Sequence, residues 1–306
     1  MKCRFRPRPA LPSLSLALLT GLALTGPTAG GQTAGTVERD MFVSVLDRTG
    51  APVLTLAPGD FVVREDGRVR EVLRARRATD TIELALLIDT SQAAAYQLGD
   101  LRQALGLFVE TMRPAAHIAL IGMGERPTVL TEYTSDAELL KKGLGRVFHI
   151  SGSGATSLEA VEETLTGLAK RPAERAAVVV VWLGGIEFSN TFHDSVLARL
   201  KEDGVPLHVI TVGSGVPPDI STSAGRQREL LFDRGTTETG GRRDNVLSSM
   251  GLPKALETLA AELLGQYRIT YARPESLIPP ERIEVSVRPP DLTARGIPVR
   301  ASKGPK

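Results

Sequence analysis

Apolar positions along the chain change their period twice. Met41–Leu46 (MFVSVL) and Pro52–Leu56 read as short strands. Asp47–Gly50 joins them as a turn, with glycine where positive φ is easiest. Asp60–Val63 and Val69–Ala75 flank Glu65-Asp66-Gly67, a hairpin signal. From 80 to 270, strand and helix patterns alternate. Ile82–Ile88 is a continuous apolar run, and Leu98, Leu101, Leu105, Phe108 and Met112 follow at helical spacing. His117–Gly122, Thr128–Thr131, Ala177–Leu183, Pro206–Val212 and Gln266–Tyr271 read as further strands. Ala137–Val147, Leu158–Leu168, Ser195–Leu200 and Leu252–Leu263 read as helices. Beyond 272 the period of two returns, at Arg282–Arg288 and again at Val299–Ala301. Gly213–Gly251 has only a weak helical run around Leu230 and reads as a long irregular segment, which in a compact domain is usually functional or disordered.

Strand–helix alternation predicts a doubly wound, mostly parallel α/β sheet with helices on both faces. The flanks predict a small β module. Four short strands bury too little to stand alone, so the expectation is that 32–79 and the tail 273–306 pack together beside an α/β domain spanning 80–272.

The first 31 residues carry a different signal. Lys2, Arg4, Arg6 and Arg8 precede an apolar stretch from Leu11 to Leu24, and small residues follow Gly26-Pro27. That is the layout of a secretory signal peptide, too short to span a bilayer. The mature chain is expected to be secreted or periplasmic, with no membrane span. Cleavage near Gly31 takes away the only cysteine and turns a formal charge of +2 into −2. The mature chain then forms no disulfide and relies on its core. Its charge and its few aromatic residues, 4% of the chain, argue against a nucleic-acid partner.

Chemistry is expected at the carboxyl ends of the sheet strands. There the first strand runs into Asp89-Thr90-Ser91, Gly154-Ala155-Thr156 precedes a helix, and the most apolar strand ends in Leu183-Gly184-Gly185. In this order and spacing the chain resembles a von Willebrand factor type A domain. The flanking segments DFVVREDGRVREV (60–72), TGG (239–241), QYRITYARP (266–274) and VRASKG (299–304) resemble the exported von Willebrand factor A-related proteins of acidobacteria.

The resemblance implies a metal-ion-dependent adhesion site: Asp-x-Ser-x-Ser, a threonine, and an aspartate after the fourth strand. Here Asp89, Ser91 and Thr156 match, whereas Ala93 and Gly184 stand where a serine and an aspartate belong. A hydroxyl and a carboxylate are missing from a set meant for a six-coordinate, oxygen-liganded dication. No cofactor is therefore expected beyond a weakly held Mg²⁺ or other divalent cation at Asp89, Ser91 and Thr156. Glu187 and Glu159 are the nearest carboxylates that could compensate. Ala93→Ser with Gly184→Asp is expected to restore affinity. The plainer role for Asp89, Ser91 and Thr156 is to accept backbone N–H groups at helix starts.

Other chemistry is thin. His117, His149, His193 and His208 lack zinc-motif spacing, and His117 and His208 read as hydrogen-bonded core histidines. The Ser151–Ser157 loop lacks the Gly-Lys ending of a phosphate loop, and no Gly-x-Ser-x-Gly elbow exists. Arg74, Arg76 and Arg77 read as a solvated strand edge. The expected function is non-catalytic: protein–protein interaction or adhesion through the loops at Asp89, Ser91, Thr156, Gly184 and Glu187, with a partner in the cell envelope or outside. Two alternatives are an enzyme using Asp89 and Glu187 as an acid/base pair, and a purely structural envelope protein.

Overall fold

A computed structural model describes residues 35–213, 215–275, 278 and 280–299. The signal peptide expected at 1–31 and the strand expected at 299–301, apart from Val299, lie outside the described residues.

In chain order the elements are β1 (Thr36–Leu46), β2 (Phe61–Glu65), β3 (Arg68–Arg70), β4 (Val72–Arg77), β5 (Ile82–Ile88), α1 (Leu98–Met112), β6 (Ala116–Met123), β7 (Pro127–Thr134), α2 (Ala137–Leu144), α3 (Ser157–Leu168), β8 (Ala176–Trp182), α4 (His193–Asp203), β9 (Leu207–Val212), α5 (Ser223–Glu238), β10 (Arg243–Val246), α6 (Leu252–Leu264), β11 (Tyr267–Pro274), β12 (Ile283–Val287) and β13 (Thr293–Pro298).

The main sheet has the order β10-β9-β8-β5-β6-β7, with β7 alone antiparallel to its neighbour. Its central strands are apolar throughout because both faces are covered. Leu84, Leu86 and Ile88 of β5 and Val179 and Val181 of β8 pack with α1 and α6. Ala85, Leu87, Val178, Val180 and Trp182 pack on the other face with α3 and α5. From β5 the chain crosses to β6 on one side and later returns to β8 on the other. The strand order therefore reverses between β5 and β8, and their carboxyl ends border the crevice where ligands bind in open α/β sheets.

The flanks form two small antiparallel sheets, β13-β1-β11-β4 and β12-β2-β3, around Met41, Val43, Val45, Phe61, Val63, Tyr267, Ile269 and Tyr271. One expectation changes here. The strand at 266–271, read from its place after the last helix as part of the α/β domain, lies between β1 and β4. Its side chains complete the module's core, with Phe61 edge-on to Tyr267.

The stretch 213–251 is also more regular than its composition suggests. It contains the 16-residue helix α5 and the edge strand β10. The apolar period of α5 is masked because Arg228 occupies a core position. Its guanidinium stacks 4.3 Å from the Trp182 ring centre and pairs with Asp219 at 2.6 Å. Among the described residues no helix is long and apolar enough to cross a membrane.

Candidate functional site

Asp89 follows β5 at the switch point and is fully buried. Its Oδ1 accepts the Ser91 N–H at 2.9 Å, and its Oδ2 accepts the Leu183 and Gly185 N–H groups at 2.9 and 3.2 Å. Ser91 caps the 3₁₀ turn Gln92–Tyr96 by accepting the Ala93 N–H. Two strands that are not consecutive in the chain are thus tied together through one carboxylate.

Glycine makes this closure possible at two positions. Gly184 has φ +98°, a conformation side chains rarely adopt. A Cβ on Gly185 would lie 2.4 Å from Ser91 Oγ and 3.0 Å from Asp89 Oδ2, so main chain packs directly on both side chains. Thr156 turns away and donates to the Gly124 carbonyl at 2.9 Å. It makes no side-chain cap for α3, contrary to the capping role expected for it.

Glu187 provides that cap. Its Oε1 accepts the Ser157 N–H at 2.7 Å and the Ser189 hydroxyl at 2.5 Å. Burial pushes its carboxyl up to about 7, against the opposing hydrogen bonds of Ser189 and Ser157 and the Arg228 charge. The Glu187 N–H donates to Asp219 Oδ2 at 2.7 Å. Burial alone would raise the Asp219 carboxyl, but the Arg228 hydrogen bonds hold it below its ordinary value. Glu159 accepts the Asn190 and Thr191 N–H groups at 2.5 and 3.2 Å.

These donors do not fit a six-coordinate divalent ion as they stand. The Asp89 carboxylate already accepts three N–H groups, Ser91 accepts a fourth, and Thr156 faces Gly124. Mg²⁺ requires oxygen ligands at roughly 2.0–2.1 Å in near-octahedral array. The described residues contain no group of three or more His, Cys, Asp or Glu side chains suited to a metal. Gly184→Asp, expected to restore a ligand, would instead place a side chain on a strained backbone.

The structure brings Asp89, Ser91, Thr156, Gly184 and Glu187 together, but the four side chains among them are at most 7% exposed. The same loops present different residues to solvent. Along 185–189 the polar Glu187 and Ser189 point inward, while Ile186 and Phe188 are about half exposed. Tyr96, Phe148 and Phe192 are also exposed, so all four exposed Phe and Tyr side chains among the described residues lie on these loops. Main-chain hydrogen bonds join the loops: Ile150 N–H to Thr90 O, Gln92 N–H to Ser153 O, Ala155 N–H to Ile186 O and Phe188 N–H to Ala155 O.

In 90–97, 147–156, 183–192, 215–222 and 247–251 the only Asp, Glu, Lys or Arg residues are Glu187 and Asp219, both buried. Sequence reasoning looked for ligand atoms and passed over this apolar set. The signal was present as loops free of exposed charge in a chain that is 24% charged.

A mostly parallel sheet covered on both faces, with an aspartate–serine turn at its switch point, defines an open α/β domain that displays loops from its carboxyl edge. The chain belongs to the von Willebrand factor type A domain family, whose model matches residues 83–238. Its fold is similar to that of proximal thread matrix protein 1 from the mussel byssus, with a TM-score of 0.50 at 13% identity, covering 69% of this chain and 50% of that one. It also resembles BatB from Bacteroides thetaiotaomicron, with a TM-score of 0.46 at 18% identity over 60% of this chain and 97% of that one. The vWF domain of the type V pili tip protein Mfa5 from Porphyromonas gingivalis gives a TM-score of 0.46 at 12% identity over 61% and 96%. The chain spans half the length of the mussel protein. No curated protein matches.

Proposed function

We propose that this is an exported, non-catalytic binding protein whose loop face at the carboxyl edge of the sheet holds another protein of the cell envelope or exterior. The observation that carries this is the inverted polarity of the loops. Polar side chains point inward to fix the backbone, and aromatic side chains point outward from loops that carry no exposed charge of their own, with Arg102 of α1 stacked 4.6 Å from the Phe148 ring centre. Protein-interface cores are depleted in charge and enriched in aromatic residues, and contiguous exposed apolar surface marks interaction sites. Glu125 and Arg126 of the β6–β7 turn border the face as a polar rim.

Asp89, Ser91 and Glu187 serve this face as positioning residues. Recognition proceeds without a bridging cation, because backbone N–H groups already take the Asp89 carboxylate. Asp89 and Glu187 are buried away from solvent, closed off from a substrate, so no reaction is assigned to them.

The test is mild crosslinking in the native envelope, comparing wild type with a folded Tyr96→Ser/Phe188→Asp/Leu247→Asp variant, with and without chelator. A discrete crosslinked partner that the variant loses and chelator spares is the expected result. A partner retained equally by both proteins overturns the assignment of this face.

A further inference from the structure

Beside the switch point, a cleft of about 1280 Å³ opens between β8, β9, the 215–220 loop, α5 and Leu247. We infer that it seats an uncharged, apolar peptide segment of the partner protein. This rests on the proposed role of the loop face and adds what that face takes.

Size argues first. Small-molecule pockets run roughly 300–1,000 Å³, and this cleft exceeds that. Its floor is Trp182, Leu183 and Val212, and its rim carries Val216 and Leu247, 76% and 82% exposed. These rim side chains gain from being covered.

Charge argues second. The charged residues lining the cleft are Arg226, Arg243, Glu229 and Asp233, two of each sign. Arg243 is paired with Glu229 at 2.6 Å, and Arg226 donates to the Ser221 carbonyl at 2.5 Å. The lining at Gly184, Val216 and Leu247 has no charge. Arg226 and Asp233 remain as one exposed charge of each sign, so the lining is neutral overall and offers no excess charge to a segment of either sign. An uncharged segment suits this neutral lining, with its apolar side chains against Trp182, Leu183, Val216 and Leu247.

The experiment pans a display library of short random peptides against the purified protein, then measures the best peptide on single variants. Enriched peptides are expected to be aromatic or aliphatic and poor in Asp, Glu, Lys and Arg. Their affinity should fall at least about tenfold in Val216→Asp and in Leu247→Asp. These positions are exposed enough to leave the melting temperature unchanged. Phe188→Asp, across the face, and chelator should have no effect.

Enrichment of acidic peptides, or chelator-sensitive binding, overturns the inference. So does affinity lost in Phe188→Asp but kept in Leu247→Asp, an outcome under which the loop face still binds protein but the cleft does not. A concentration-dependent dimer abolished by Leu247→Asp would also overturn it, by making the occupant a second copy of this chain.

Discussion

Glu187 shows how burial and backbone demand combine in one side chain. It sits under the loop face, caps α3 and keeps its carboxyl near 7. The folded protein holds this proton more tightly than the unfolded chain, whose glutamate titrates near its ordinary 4.5. Stability therefore falls as pH rises from about 4.5 through 7, by an amount on the order of 3 kcal/mol once complete. Glu187→Gln keeps an acceptor for the Ser157 N–H and removes the titration. Denaturant unfolding at pH 5 and pH 8 should show the variant gaining on wild type at the higher pH, with the difference shrinking at the lower. A constant difference would mean that Glu187 does not titrate in this window. Gly184 makes the companion case. At φ +98°, Gly184→Asp costs on the order of 1–3 kcal/mol, so Ala93→Ser/Gly184→Asp should lower the melting temperature.

Among the elements, α5 and the 183–192 loop are coupled by Arg228. Its guanidinium is fully buried, stacks on Trp182 and holds Asp219, which in turn accepts the Glu187 N–H. Arg228→Met leaves Asp219 buried without its cation, and breaking such a pair typically costs about 3–5 kcal/mol. Arg228→Met/Asp219→Asn should recover part of that loss, because asparagine still accepts the N–H without a charge. Equal destabilisation of single and double variants would contradict the coupling. The same arginine explains why α5 was hidden in the sequence: a charged residue at a core position breaks the apolar period that marks a helix. By contrast, β5, β8 and α1 were legible because packing alone determines them. The strand at 266–271 was legible as a strand but not in its pairing, since pattern does not name a partner.

Across the whole molecule, the β module and the α/β sheet meet through buried polar groups rather than a simple apolar seam. Arg295 of β13 and Arg242 reach Glu262 of α6. Arg175 donates to the Gln266 side chain and the Leu263 carbonyl. Burial, with Arg295 and Arg242 nearby, pushes His208 down to about 3. Its ring nitrogens have no hydrogen-bond partner, whereas the sequence suggested a satisfied core histidine; His117 does bond Glu83. Fold class and the β module were readable from periodicity, and the position of the site from strand order. The character of the site stayed open, with main-chain capping the plainer reading, because Asp89-x-Ser91 has the same spelling whether the carboxylate faces an ion or main-chain N–H groups. Only the path of Gly184-Gly185 over Asp89 distinguishes the two. Isothermal titration of Mg²⁺ and Mn²⁺ into the purified protein asks which applies. No saturable heat is predicted for wild type, and micromolar binding abolished by Asp89→Asn would contradict a loop face that works by apolar contact without an ion.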